Sequence, residues 1–374
     1  MQKWIWQIDH WTNFSWHEET ILPKVRRIHQ KIGILLGQSQ HDIAKEQFTL
    51  DTLLANLVAS SAIENETLNV FSLRSSLAKR LGVTLEQPYP SSNRSEGLAN
   101  IMLDALHSVK QPLTLERLMQ WHRWLFTDYD WTIQRLHIGE LRGTEPMQVV
   151  SGRMDYPKVH FEAPARDGLE QRLDAFITWF NSSLNDALLD PILRAGITHL
   201  WFITLHPFDD GNGRITRILT DLALAQMDEQ SIRLYAISPA ILDKRKSYYD
   251  ILEQTQKSDS NITAWLVWFL DTLDDSLEKT LKKINRTLFK SQFWHKHAKL
   301  ELHEGQRKII NRLLDGGENG FEQGISASQY QKVAKVSKAT ATRHLSDLLE
   351  KNCVVKLEGR GRNTRYQINR MLIP

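Results

Sequence analysis

His206-Pro207-Phe208-Asp209-Asp210-Gly211-Asn212-Gly213-Arg214-Ile215-Thr216-Arg217 places an imidazole, two carboxylates, two glycines and two guanidinium groups within twelve residues. Gly211 and Gly213 flank Asn212 and allow the backbone to turn with its N–H groups pointing inward, which makes an anion nest. A helix beginning near Arg214 would add the positive end of its dipole. Arg214 and Arg217 are three apart and share a face of that helix. Two guanidinium groups beside a nest of N–H groups form a phosphate-binding constellation. His206, just upstream, has the pKa range of a general base. Asp210 is a hard oxygen ligand suited to a magnesium ion that keeps most of its waters. This chemistry predicts a nucleotide-phosphate site.

The elements that must position these residues read as helices. Apolar residues recur at three- and four-residue spacing in Glu46 to Ser61, Leu113 to Phe126, Asp167 to Leu184 and Pro191 to Thr204. Turn chemistry separates them at Gln87 to Asn93, Gly139 to Gly143 and Ala163 to Gly168. Met147 to Phe161 is different: Val149-Val150, a turn at Ser151 to Asp155, and Val159-His160-Phe161 predict a small β-hairpin within a helical domain. Ile262 to about Lys299 predicts a long amphipathic packing or connecting helix.

The end of the chain has its own pattern. Helices are predicted at Gln306 to Leu314, Ser326 to Ala334 and Lys338 to Lys351. A hairpin follows, from Val354 to Ile368, with a basic tip. Three helices and a hairpin is the order of a winged helix-turn-helix. From Leu300 onward there are 13 Lys and Arg against 8 Asp and Glu, a net of +5; the rest carries 34 against 36, a net of −2. That asymmetry suits a polyanion partner or a solvated basic face.

Bulk composition narrows the classes. Of 374 residues, 41% are hydrophobic and 24% charged, the balance of an ordinary globular protein. No apolar run approaches the ~18 to 20 residues of a membrane span. The N-terminus lacks the apolar core of a signal peptide. Cys353 is the only cysteine, so an intrachain disulfide and a cysteine-based zinc site are excluded. A reducing, cytoplasmic setting with no membrane partner is expected.

His206 to Arg217 resembles the signature of the Fic family, His-Pro-Phe-x-(Asp/Glu)-Gly-Asn-Gly-Arg-x-x-Arg, at every specified position. The resemblance extends from about Leu113 to Thr255. The first ninety residues, opening on Trp4-x-Trp6, look like the N-terminal module that often precedes such domains. The resemblance implies a mainly α, Fic-type helical domain with a β-hairpin flap, and a protein adenylyltransferase activity using ATP and Mg2+. His206 would take the proton of a Ser, Thr or Tyr hydroxyl, which attacks the α-phosphate as pyrophosphate leaves. Asp210 would hold the magnesium, Asn212 and the glycine backbone would stabilise charge on the α-phosphate, and Arg214 and Arg217 would hold the β- and γ-phosphates. The implied ATP-binding set is Glu64, Gly211, Asn212, Gly213, Arg214, Ile215, Thr216, Arg217, Tyr248 and Tyr249, the two tyrosines lining the adenosine pocket. The hairpin resembles the family's flap, with Val149, Val150, Ser151 and Gly152 aligning a target segment as an added strand. A lysine stands in place of Gly213 in the family's kinase-like Doc branch, so Gly213 implies AMP rather than phosphate transfer.

Ser60-Ser61-Ala62-Ile63-Glu64-Asn65 is similar to the family's inhibitory motif, (Ser/Thr)-x-x-x-Glu-(Gly/Asn). The resemblance implies that Ser60, Glu64 and Asn65 form an inhibitory helix end and that Glu64 pairs with Arg217 in γ-phosphate space. Four segments are therefore expected: an N-terminal helical module (1–95, inhibitory helix about 50–66), a catalytic domain (110–260), a connecting helix (261–299) and a winged-helix module (300–374). In the last, Lys338, Thr340, Thr342 and Arg343 would face DNA and Arg360, Arg362 and Arg365 would be wing contacts; protein contact or dimerisation is the other role such a module takes. An interface burying Glu64's helix would couple homodimer assembly to activity. The alternative function is a winged-helix DNA-binding regulator whose Fic domain is a nucleotide sensor or a de-AMPylase.

Overall fold

Helix is the state that the apolar spacing selects almost throughout. The computed structural model describes residues 4–38, 45–128, 136–153, 156–228, 234–316, 321, 323–357 and 364–370. Among these the helices are α1 (Glu18–Gln38), α2 (Lys45–Ile63), α3 (Val70–Leu81), α4 (Asn93–His107), α5 (Leu115–Leu125), α6 (Leu169–Ser182), α7 (Pro191–Leu205), α8 (Asn212–Asp228), α9 (Ser238–Asp243), α10 (Arg245–Gln256), α11 (Thr263–Lys296), α12 (Glu304–Asp315), α13 (Ala327–Ala334) and α14 (Lys338–Glu350). The strands are β1 (Gln148–Arg153), β2 (Tyr156–Glu162), β3 (Val354–Lys356) and β4 (Tyr366–Ile368), in two antiparallel hairpins. The fold is mainly α with small β-hairpins, as expected.

The chain divides into two compact units, Met1–Thr280 and Leu281–Pro374, and the division falls inside α11. The expected N-terminal module and catalytic domain lie in one unit, and the division falls within the connecting helix expected at 261–299.

In the first unit α7 and α8 are the central pair. Asp190 starts α7 by accepting from the Ile192 N–H at 2.9 Å, with Pro191 in the first turn. From Ile192 to Leu205 every residue of α7 is buried, and its polar Arg194 and His199 are hydrogen-bonded within the core. α8 packs along α7 and is flanked by α2, α4 and α5. It contributes Ile215, Leu219 and Leu222 to the core, each at most 1% exposed. Truncating such a side chain to alanine costs about 2–5 kcal/mol. This packing makes the α7–α8 connection a rigid corner.

The first hairpin is held at its base by the start of the chain. Trp4 meets Phe161 edge-on with ring centroids 5.5 Å apart, and Trp6 Nε1 donates to the Glu162 carbonyl at 2.7 Å. The opening Trp-x-Trp is thus a wedge beneath β2. Val149 pairs with Phe161 but Val150 with Val159, so His160 is the extra residue of a β-bulge.

The second unit holds α12, α13, α14, β3 and β4 around Ile309, Ile310, Tyr330, Leu345, Leu348, Val354 and Ile368. A bridge pairs Ile325 with Tyr366, extending the β3–β4 pair. Cys353 is fully buried there, and burial pushes its thiol up to about 11. Arg360 and Arg362 lie outside the described residues. No helix among the described residues is long and apolar enough to cross a membrane.

Candidate active site

The α7–α8 corner is built from the motif itself. α7 ends where His206 turns left-handed (φ +48°), with Pro207 barring continuation. Gly211 is also left-handed (φ +82°), and a Cβ there would lie 2.7 Å from Leu125 Cδ2. α8 starts at Asn212, and its first helical bond runs from the Ile215 N–H to the Gly211 carbonyl at 3.0 Å. The N–H groups of Asn212, Gly213 and Arg214 thus have no acceptor within the helix, and all three point with the positive end of its dipole. The helix begins two residues earlier than expected, and the nest and the helix end are one feature.

Asn212 braces the corner. Its Oδ1 accepts from the Phe208 N–H at 2.9 Å and its Nδ2 donates to the Phe208 carbonyl at 2.8 Å. The side chain expected to steady an α-phosphate is engaged by the loop, leaving its backbone N–H for an anion. Phe208 is buried and stacked on His122 at 4.2 Å. His122 Nε2 donates to the Asp210 carbonyl at 3.1 Å, and its Nδ1 accepts from the Gly139 N–H at 2.9 Å. Burial pushes the His122 imidazole down to about 4, so it is neutral, as that tautomer requires.

His206 is half-buried at the cavity. Its Nδ1 donates to the Ile203 carbonyl at 3.1 Å, which leaves the Nε2 lone pair free. Burial holds the imidazole below its usual pKa and the Arg142 charge adds to this; the Ile203 carbonyl, Glu64 and Asp210 oppose without reversing it. The ring is therefore neutral near pH 7. Arg142, 2% exposed, donates through Nε to the His206 carbonyl at 2.9 Å, and its N–H donates to the Pro207 carbonyl at 3.0 Å. Asp209 accepts from the His137 N–H at 2.9 Å, His137 Nδ1 at 2.7 Å and the Gly143 N–H at 3.3 Å. Sequence reasoning missed Arg142, His122 and Asp209. The only signal was the turn at Gly139 to Gly143, which says nothing of its partner.

Asp210 stands at the cavity with its side chain 55% exposed. It accepts from the Gly211 N–H at 2.5 Å and from Arg214 at 3.2 Å. Among the described residues no group of three or more His, Cys, Asp or Glu side chains is arranged to hold a metal ion.

The end of α2 meets the start of α8. Arg217, fully buried, donates through Nε to Ser60 Oγ at 2.8 Å and through Nη2 to the Ser60 carbonyl at 2.9 Å and Glu64 Oε1 at 2.8 Å. Tyr249 donates to Glu64 Oε2 at 3.3 Å. Burial raises the Glu64 carboxyl, but Arg217, with Arg214 and Tyr249, outweighs it and holds the group below the usual carboxylate range. A Cβ on Gly213 would lie 2.1 Å from Glu64 Oε1, so the space this glycine leaves is where the carboxylate sits. Asn65 is left-handed (φ +62°), a conformation that asparagine and glycine accept most readily, which explains those two residues in the motif. Arg214, 5% exposed, lies 5.1 Å from the Phe126 ring centroid and donates to Glu66 Oε1 at 2.5 Å. Glu66 was not anticipated from sequence.

A cavity of about 560 Å³ is lined in part by Glu64, Asn65, His206, Asp210, Gly211, Asn212, Gly213, Tyr248, Tyr249 and the hairpin residues Val149, Val150 and Ser151. Val150 is half exposed. Gly152 pairs with Pro157 across the hairpin. Flap residue His160 bonds Ser151 Oγ through Nε2 and Glu253 of α10 through Nδ1, each at 2.5 Å. Tyr249 faces the cavity with 37% exposure, whereas Tyr248 is 1% exposed and its hydroxyl bonds His199 Nε2 at 2.9 Å. Ile215 is a core residue, and Thr216 is buried with its hydroxyl donating to the Asn212 carbonyl at 2.7 Å. Neither reaches the cavity lining, and Arg214 and Arg217, each paired with a carboxylate, are likewise outside it.

A family model described as Fic/DOC family matches residues 112–224, and one described as a domain of unknown function (DUF4172) matches residues 4–83. The chain is 25% identical over 263 residues to a protein of Aedes aegypti named protein adenylyltransferase Fic, covering 69% of this chain and 47% of that one. It is 24% identical to the Caenorhabditis elegans protein adenylyltransferase fic-1, covering 59% and 40%. The chain thus spans about half or less of the length of the curated relatives it matches. A crystal structure of a Fic family protein from Desulfovibrio desulfuricans G20 superposes with a TM-score of 0.51 at 19% identity, over 92% of this chain and 96% of that one. A Fic-domain signaling protein from Bacteroides thetaiotaomicron gives 0.51 at 19%, over 70% and 95%. Residues 112–224 of this chain, which hold the motif and the helical corner, form a domain of the Fic/DOC family.

Proposed function

We propose that this chain transfers AMP from ATP to a hydroxyl of a protein, and that Glu64 holds the activity down. The observation that carries the reading is the α2–α8 contact. An anion, the Glu64 carboxylate, already lies in the notch at Gly213 on Arg217, where the terminal phosphates of a nucleotide would be held.

The geometry supports the following residue chemistry. The incoming hydroxyl gives its proton to His206 Nε2, kept neutral by burial and aimed by the Ile203 carbonyl. Its oxygen forms a bond to the α-phosphorus as the bond to the β-phosphate bridging oxygen breaks, and pyrophosphate leaves. The N–H groups at the start of α8 face the charge that develops. Positioning and charge stabilisation carry most of this reaction, with general-base help adding about 10²–10⁴-fold. Asp210 fits magnesium, because one exposed carboxylate beside substrate phosphates is the usual protein share of such a site. The ion would neutralise phosphate charge there. Val150 and its neighbours on the flap would pair with the target backbone, which reads little sequence.

Labelled ATP and magnesium test the reading. Glu64→Gly is expected to raise self-labelling sharply, and His206→Ala in that background to abolish it. Equal labelling of the two sinks the catalytic assignment, and unchanged labelling in Glu64→Gly sinks the inhibition.

The second unit supports a polyanion-binding role as a winged helix. Lys338, Thr342 and Arg343 are exposed on α14, while Thr340 is half-buried. Arg365, expected as a wing contact, instead donates to the Gly324 carbonyl at 2.9 Å. Duplex-DNA binding across a salt series tests the role: no retention at low salt removes it.

A further inference from the structure

Glu64 and Glu66 leave the same turn at the end of α2, and each takes one arginine of the motif. The turn is set by the N–H groups of Glu64 and Glu66, which both donate to the Ser61 carbonyl at 3.0 Å, and by left-handed Asn65 between them. Glu64 takes Arg217 and Glu66 takes Arg214. The two pairs differ in one respect. Glu66 Oε2 also pairs with Arg94 of α4 at 2.8 Å, so Glu66 bridges two guanidinium groups. Arg94 is half-buried and Arg214 is 5% exposed. Glu66 therefore has a second cation to stay with when Arg214 is taken.

We propose that Glu66 and Arg94 form a gate on Arg214 that restrains the binding of nucleotides carrying a polyphosphate chain. Glu66 occupies Arg214 until the chain's phosphates displace it, and it then rests on Arg94 alone. A nucleoside monophosphate at the His206 end has no terminal phosphates to make this exchange and is indifferent to it. Asp210, the other carboxylate on Arg214, stays in place, since its bond at 3.2 Å is to the other guanidinium nitrogen. This rests on the nucleotide-phosphate reading of the α7–α8 corner.

Binding of ATP and of AMP, measured by calorimetry in a His206→Ala background where no transfer consumes ATP, tests the gate. Glu66→Gln frees Arg214 and is expected to tighten ATP about tenfold, leaving AMP within about twofold. Arg94→Met removes the resting place and is expected to weaken ATP about threefold, again sparing AMP. In the Glu66→Gln background Arg94→Met has no further effect, because it acts through Glu66. Opposite signs from two variants cannot come from a shared folding defect. If Glu64→Gly binds ATP but Glu66→Gln does not tighten it, or both variants shift ATP and AMP alike, the gate is overturned and the site reading stands. If no variant, Glu64→Gly included, binds ATP, the site reading falls and the gate with it.

Discussion

Replacing Gly213 with alanine separates the two occupants of the notch beside α8. The added Cβ lies 2.1 Å from Glu64 Oε1, while ordinary contact begins at 3.4 Å, so the carboxylate must retreat by about 1.3 Å. The Glu64–Arg217 bond, now 2.8 Å, then opens. A charge-assisted hydrogen bond of this kind contributes about 1.5–3 kcal/mol. Against this, alanine is favoured over glycine by up to about 1 kcal/mol within a helix, and by less in the first turn. Gly213→Ala should therefore destabilise the wild-type chain by about 1–2 kcal/mol. In a Glu64→Gly background only Arg217 Nη1, 3.1 Å from the added Cβ, must give slightly, and the same substitution should be close to neutral. Denaturant unfolding of the four proteins gives the coupling directly. Labelling with ATP gives a second sign change: Gly213→Ala should raise basal labelling in wild type and lower it in Glu64→Gly, where the methyl group enters phosphate space. An equal stability effect in both backgrounds would refute the argument that Gly213 exists to admit an anion.

The pH profile carries a further expectation. Because burial and Arg142 hold the His206 imidazole below its usual pKa of 6.5, the neutral base persists as pH falls and the acid limb of transfer should lie below 6.5. Glu64 raises the His206 pKa, so Glu64→Gly should move that limb lower still; a limb at or above 6.5 in both proteins contradicts the assignment. The Glu64 carboxyl is itself depressed below 4.5, so the inhibitory pair is present above that pH and is lost only as pH falls through the lower folded value. Neutral-range acidification should therefore leave inhibition in place. Asn212→Ala leaves the buried Phe208 N–H and carbonyl without partners and should cost about 2–3 kcal/mol in denaturant unfolding; a loss below about 0.5 kcal/mol would show that the brace is dispensable. Trp6→Phe removes the bond to the Glu162 carbonyl, and hydrogen exchange should show lower protection in β2, with α7 unchanged; protection lost equally in both would mean a global effect.

Much of this protein was legible along the chain. Apolar spacing located α2, α5, α6, α7 and α11 to within a few residues, because a helix that buries one face must repeat its apolar positions. Val-rich segments around a turn marked the β1–β2 hairpin. The motif from His206 to Arg217 was readable because its groups are local: one corner, one helix end and the side chains on it. The left-handed residues at Asn65 and Gly211 are of the types that tolerate that geometry.

The partners of these residues were decided elsewhere. Arg217 and Glu64 are 153 positions apart, and Arg214 and Glu66 are 148 apart. Nothing in local spacing foretells that α2 ends beside the first turn of α8, that Arg142 holds the His206 carbonyl, or that Asp209 organises a distant turn. The same holds for Tyr248, which the sequence places beside Tyr249 but the packing turns toward His199. The sequence alone determined which groups are present and which helix each rides on. The motif resemblance implies the Glu64–Arg217 pair; only the tertiary structure decided that Arg214 is buried against Glu66 and that Arg217 is fully buried, because pairing and desolvation depend on which helix faces meet, and that is settled by the packing of the whole core.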